Sequence, residues 1–158
     1  MKKLFALLLA ITMMATLSVT AFAAEYDTEG DKGMNVTYSV NPAYTVTIPA
    51  SIAIDEDGTV DATVSAADVV VNKGQYVSVT LAAENNFTVK TAEGAELTYT
   101  VTKGGQSVAA GGEILAVNPA SAAGGSANIT FAINEADVKY AGIYTGTATF
   151  TVAVKPVS

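Results

Sequence analysis

From Met34 onward, apolar and polar residues alternate at nearly every second position, the mark of strands with one buried and one wet face. Met34, Val36, Tyr38 and Val40 share one side, while Asn35, Thr37 and Ser39 share the other. Asn41-Pro42 ends this run, because proline lacks the ladder donor and restrains the residue before it. A second strand places Tyr44, Val46 and Ile48 inward and is closed by Pro49. A short strand over 51–54 runs into the turn Asp55-Glu56-Asp57-Gly58, after which 59–64 resumes the alternation. Residues 69–71 are too uniformly apolar to assign to a face.

Further along, Val77, Val79 and Leu81 alternate with Ser78 and Thr80, and a strand over 86–91 carries Phe87 and Val89. Glu93-Gly94 turns the chain into Leu97, Tyr99 and Val101. Lys103-Gly104-Gly105-Gln106 is the clearest hairpin, since paired glycines supply the positive φ angles of primed turns. Return strands over 107–110 and 113–117 follow, then a loop through Asn118-Pro119 to Ser126, then Ile129, Phe131 and Ile133 on one face. The most regular pattern comes last, with Tyr144, Ala148, Phe150, Val152 and Val154 opposed to Thr145, Thr147, Thr149 and Thr151. Residues 135–139 suit one helical turn, and no stretch after the first 23 residues sustains an apolar stripe at helical spacing. About eight to ten short strands, with a turn signal roughly every ten residues, predict an all-β antiparallel immunoglobulin-like β-sandwich over residues 34–158.

The first 23 residues have a different grammar. Lys2 and Lys3 precede an apolar stretch, and Ala21-Phe22-Ala23 supplies a small-x-small cleavage signal. Residues 1–23 therefore read as a signal helix cleaved after Ala23, with 24–33 as a flexible polar tail. An uncleaved anchor is the competing reading, since the apolar stretch is nearly long enough to span a bilayer. Without Lys2 and Lys3, six lysines face 15 carboxylates, a net charge of −9. That balance argues against nucleic acid and against a polybasic grip on lipid, and it suits solubility outside the cell. Lack of cysteine in an exported domain of this size points to a bacterial source, and the sequons at Asn35, Asn86 and Asn128 read as coincidence in a threonine-rich chain.

The 158 residues contain no His, Cys, Trp or Arg, which removes imidazole, thiol and guanidinium chemistry. No serine sits convincingly beside a lysine, and few aromatics are present to line a sugar cleft, so the chain reads as no enzyme and as needing no cofactor. The strongest acidic cluster is Asp55, Asp57 and Asp61, a weak calcium candidate. Its spacing departs from the Asp-x-Asp-x-Asp-Gly loop, and a solvated turn is the preferred reading. A Lys-to-Asn or Lys-to-Asp amide crosslink needs a core-facing lysine, whereas Lys90 and Lys155 have outward parity and Lys103 sits at a glycine turn. Tyr140 or Tyr144 could close an immunoglobulin-type tyrosine corner, with ordinary core or edge aromatics as the equal alternative. Residues 34–40, with a polar tail before and an Asn-Pro hinge after, have the layout of an exchangeable terminal strand. Pairing within its own sandwich is the simpler reading of the same segment.

Two stretches carry a family resemblance: Tyr44-Thr45-Val46-Thr47-Ile48-Pro49-Ala50-Ser51-Ile52 near the start, and Tyr140-Ala141-Gly142-Ile143-Tyr144-Thr145-Gly146-Thr147-Ala148-Thr149-Phe150-Thr151-Val152 near the end. They resemble small secreted immunoglobulin-like β-sandwich proteins of Gram-positive bacteria that serve as surface, adhesin or pilin-like modules. The chain departs from the wall-binding members in having no tryptophan, and it has no Leu-Pro-x-Thr-Gly sorting motif. The resemblance implies a secreted, cell-surface-associated, non-enzymatic structural or adhesive module whose partners are other surface proteins or itself. The alternative is an extracellular glycan- or protein-binding module presenting Tyr76 and the end loops.

Overall fold

The computed structural model describes residues 36–55, 57–119 and 124–157. The signal segment 1–23, the tail 24–33, and Met34 and Asn35 lie outside the described residues. The strands are β1 (Ala43–Thr47), β2 (Thr59–Val70), β3 (Gln75–Leu81), β4 (Thr88–Lys90), β5 (Glu96–Lys103), β6 (Gln106–Ser107), β7 (Glu113–Val117), β8 (Gly125–Ile133) and β9 (Phe150–Pro156). A single 3-10 turn, Glu135–Asp137, links β8 to the last crossing; the side chain of Asn134 caps it by accepting from the amide of Ala136.

One sheet has the order β1-β2-β8-β5-β4, with β6 hairpinned onto β5, and the other has the order β7-β3-β9. Every pairing is antiparallel. The two sheets stack because alternation gives each an oily face. Ala62, Val64, Ala66, Tyr99, Val101, Ala127, Ile129 and Phe131 of the large sheet meet Val79, Leu81, Ile114, Leu115 and Val117 of the small one. The protein is thus an all-β antiparallel sandwich, as the alternation predicts. On its outer face the threonines and their neighbours pair across strands in register. Thr130 donates to Asp61 (2.6 Å), and Thr63 donates to Asn128 (2.8 Å).

Register gives the sandwich two distinct ends. Ala43 lies opposite Val70, and the following turn brings Gln75 opposite Pro156, so β1 begins where β9 finishes. At the other end Thr59 lies opposite Ala132, Tyr99 opposite Ile133, and Leu81 opposite Phe150. Between Ala43 and Thr45 the register slips by one residue against β2, where Asp68 takes a positive φ of 53°, a bulge that bends the start of β1.

Five expectations are corrected. Residues 36–40 form no strand, and their alternating side chains are outside: Val36 is 83% and Tyr38 90% exposed. Residues 51–54 pair with nothing in a ladder, so their apolar pattern marks a segment lying on the core edge. The pattern from Tyr144 to Val154 is a strand only from Phe150; before it, Thr145 makes one isolated bridge to Lys90. Val154, assigned inward by parity, is exposed. Finally, the return strand over 107–110 shrinks to Gln106–Ser107. In the four segments alternation describes which way side chains point, while a strand also needs a neighbour for its amides.

Candidate functional site

The small sheet is shorter than the large one, and at the Thr59 end the inner faces of β5 and β8 run on past it. Leu97, Tyr99, Phe131 and Ile133, with Val89 from β4, become the floor of a cleft of about 800 Å³. Ile52, Ala53 and Ile54 form one wall, and the irregular crossing from Val138 to Ala148 forms the other. This volume lies in the range of ordinary ligand sites, and the lining is mostly apolar.

Two glycines set the walls. Gly58 adopts φ +72°, and a Cβ there would sit 2.7 Å from the carbonyl oxygen of Ile133, so the loop can close onto the end of β8 only without a side chain. Its own carbonyl accepts from the Ile133 amide at 2.8 Å. Gly146 lets the crossing segment lie against β4, because a Cβ there would meet the Thr88 carbonyl oxygen at 2.5 Å. Two hydrogen bonds between Lys90 and Thr145, 2.8 and 2.9 Å, hold that contact.

Tyr99 is the chemical oddity of the floor. It is 5% exposed, its ring packs edge-on to Phe87 at 5.6 Å and tilted to Phe131 at 5.9 Å, and its hydroxyl is buried with no hydrogen-bond partner among the described residues. Burial raises its pKa above the ordinary tyrosine value. Phe87, which buttresses it, holds a positive φ of 53°, and its carbonyl accepts from the Tyr99 amide.

Of the two tyrosines proposed for a corner, Tyr144 donates its hydroxyl to the carbonyl of Tyr140 at 2.8 Å. Both line the cleft, and Tyr140 is 66% exposed on its rim. The acidic trio does not converge: Asp55 lies at the cleft, while Asp57 and Asp61 lie elsewhere on the exposed surface. Asp55 offers its carbonyl to the amide of Gly58, Asp57 accepts from the amide of Thr59, and Asp61 accepts from Thr130 on the next strand. Among the described residues, no three acidic side chains gather in a metal-sized group.

Tyr76 and Ser78 form a second polar group on the outer face of the small sheet. Both donate to one oxygen of Glu113, at 3.3 and 2.5 Å, with the Lys155 ammonium 3.9 Å away. Desolvation first, then the Glu113 charge and hydrogen bond, raise the pKa of Tyr76. Ser78 is fully buried, so its hydroxyl anchors a strand pair and does not face a substrate. Lys90 pairs with Glu96 at 2.6 Å on the surface.

Sequence reasoning missed the cleft. Its signal was indirect: Ile143 stands alone between a glycine and a tyrosine, and it is 83% exposed at the rim.

No protein-family model and no curated protein matches the chain. Among solved structures, a chain from the chaperone-tip adhesion subunit pre-assembly complex (CsuC-CsuE) of archaic chaperone-usher Csu pili of Acinetobacter baumannii superposes with a TM-score of 0.49 at 22% identity. The match covers 73% of this chain and 40% of that one, so the chain spans less than half the length of the structure it matches.

Proposed function

We propose that this chain is exported, processed after Ala23, and works as a non-enzymatic structural or adhesive module at the cell surface, joining to copies of itself through its terminal strand. One observation carries the reading. Residues 36–40 keep the alternation of a strand, yet they present Val36 and Tyr38 to water and pair with no edge. A strand-grade segment with an exposed apolar face is a docking element, because solvent gives neither its side chains nor its amides a partner as good as a sheet. The lack of imidazole, thiol and guanidinium groups supports the non-enzymatic part of the reading. The alternative, a glycan- or protein-binding module, would use the end loops and Tyr76, whose hydroxyl donates to Glu113.

The test is assembly of the processed chain, residues 24–158, followed by light scattering and negative-stain microscopy over a concentration series. Oligomers that grow with concentration and vanish on deletion of residues 25–41 support the reading. A chain that stays monomeric throughout overturns it.

A further inference from the structure

Given joining through the terminal strand, as proposed above, we infer that the cleft floored by Tyr99, Phe131 and Ile133 is the acceptor, and that its occupant is the 36–40 segment of a second copy.

Exposed large apolar side chains include Val36, Tyr38 and Val40 in the segment, Ile52, Val138, Tyr140 and Ile143 around the cleft, and Val70, Val154 and Val157 toward the opposite end. Grouped exposed apolar side chains mark an interaction site, and the segment and the cleft rim each carry such a group. The segment brings apolar side chains at every second position and no charge, and the cleft lining is mostly apolar, with Asp55 and Glu135 as its charged members. The apolar character of segment and cleft therefore suits a single strand seated between Ile52 and Ile143.

Geometry decides which copy supplies the strand. Ala43 sits opposite Val70, whereas the cleft lies at the level of Gly58 and Thr59, at the other end of β2. The eleven steps of β2 from Thr59 to Val70 cover about 36 Å at ~3.3 Å per residue. Tyr38, five residues before Ala43, reaches at most about 17 Å from it. The cleft also lies over β8, β5 and β4, strands away from the edge where β1 starts. A chain cannot fill its own cleft with this segment, but a neighbour can. With donor and acceptor at opposite ends, the contact is head to tail, and such contacts propagate as fibres unless the rotation closes a ring.

The absence of cysteine makes the test clean. Processed V36C protein is mixed with I143C or with I52C, one from each wall, under mild oxidation, and with K73C at the opposite end as the comparison. A disulfide requires Cα atoms within about 7 Å, and all four positions lie at exposed sites. A linked dimer with at least one wall cysteine and none with K73C supports the inference. Copies that assemble without a disulfide to either wall, or that link as readily to K73C, overturn the cleft as acceptor and leave strand-mediated assembly standing. A disulfide within single dilute chains of the V36C/I143C double variant overturns the second-copy assignment. Failure to assemble at all overturns the inference together with the reading beneath it.

Discussion

Replacing Tyr99 with phenylalanine removes one oxygen and leaves the ring. The packing against Phe87 and Phe131 survives, because those contacts are made by ring faces and edges. What disappears is a hydroxyl shut away from water with no hydrogen-bond partner among the described residues. A buried polar group in that condition costs about 1–3 kcal/mol, so Tyr99→Phe should stabilise the fold by about that amount. An unfolding entropy near 2.1 cal/mol/K per residue, over roughly 120 ordered residues, gives about 0.25 kcal/mol/K, so Tm should rise by about 4–12 °C. The pH dependence supplies a second reading. Burial raises the Tyr99 pKa above its ordinary value of 10.0, so the native state keeps its proton after the unfolded chain has lost its own. Stability from this group is full below about pH 10 and declines as pH rises through the unfolded value. Tyr76 shifts in the same direction, so Tyr99→Phe should reduce the alkaline loss without removing it. Calorimetry of both proteins from pH 7 to 11 measures the two effects together. A Tm lowered by several degrees at pH 7 would show that the hydroxyl is satisfied in solution, and it would refute the reasoning.

Other outcomes follow from the same contacts. Gly146→Ala drives a methyl group to 2.5 Å from a backbone oxygen of β4, and should cost about 1–3 kcal/mol in urea titration while loosening the Lys90–Thr145 bridge to amide exchange. Glu113→Ala strands the buried Ser78 hydroxyl at a cost of about 1–3 kcal/mol; adding Ser78→Ala should recover part of that loss, giving a non-additive cycle. The exposed Lys155 contributes little to that sum, since its ion pair is long and screened. Because two chains of net charge −9 repel, and the donor segment carries no charge to pair with Asp55 and Glu135 of the acceptor, raising salt from 0.02 to about 0.3 M should strengthen assembly, measured by light scattering.

The strands that read most plainly in sequence are those whose neighbours sit on both sides. In β8, Ala127, Ile129 and Phe131 alternate with Asn128 and Thr130, and both adjoining strands hold the register that this pattern asks for. The glycine hairpin after β5 is legible for the same reason, since Gly104 and Gly105 take the positive φ angles its turn requires. Residues 36–40 and 144–149 carry patterns equally regular and are no strands. Nothing in an alternating run says whether an edge is free to receive it, because that depends on where distant strands stop. The cleft was hidden by the same limit. Tyr99 and Ile133 look like ordinary inward residues, and only the end of β3 at Leu81 leaves them without a sheet above.

These two misreadings are physically one. The rim of the cleft leaves Tyr140 and Ile143 exposed, and the segment 36–40 leaves Val36 and Tyr38 exposed; each costs free energy at about 25 cal/mol per Å² of apolar surface left in water. Burying both against each other removes both costs, and the separation of about 36 Å along β2 means the burial must occur between molecules. On the proposed reading, two copies meeting in this way would give the unpaired pattern of residues 36–40 the neighbour that its own sheets do not supply.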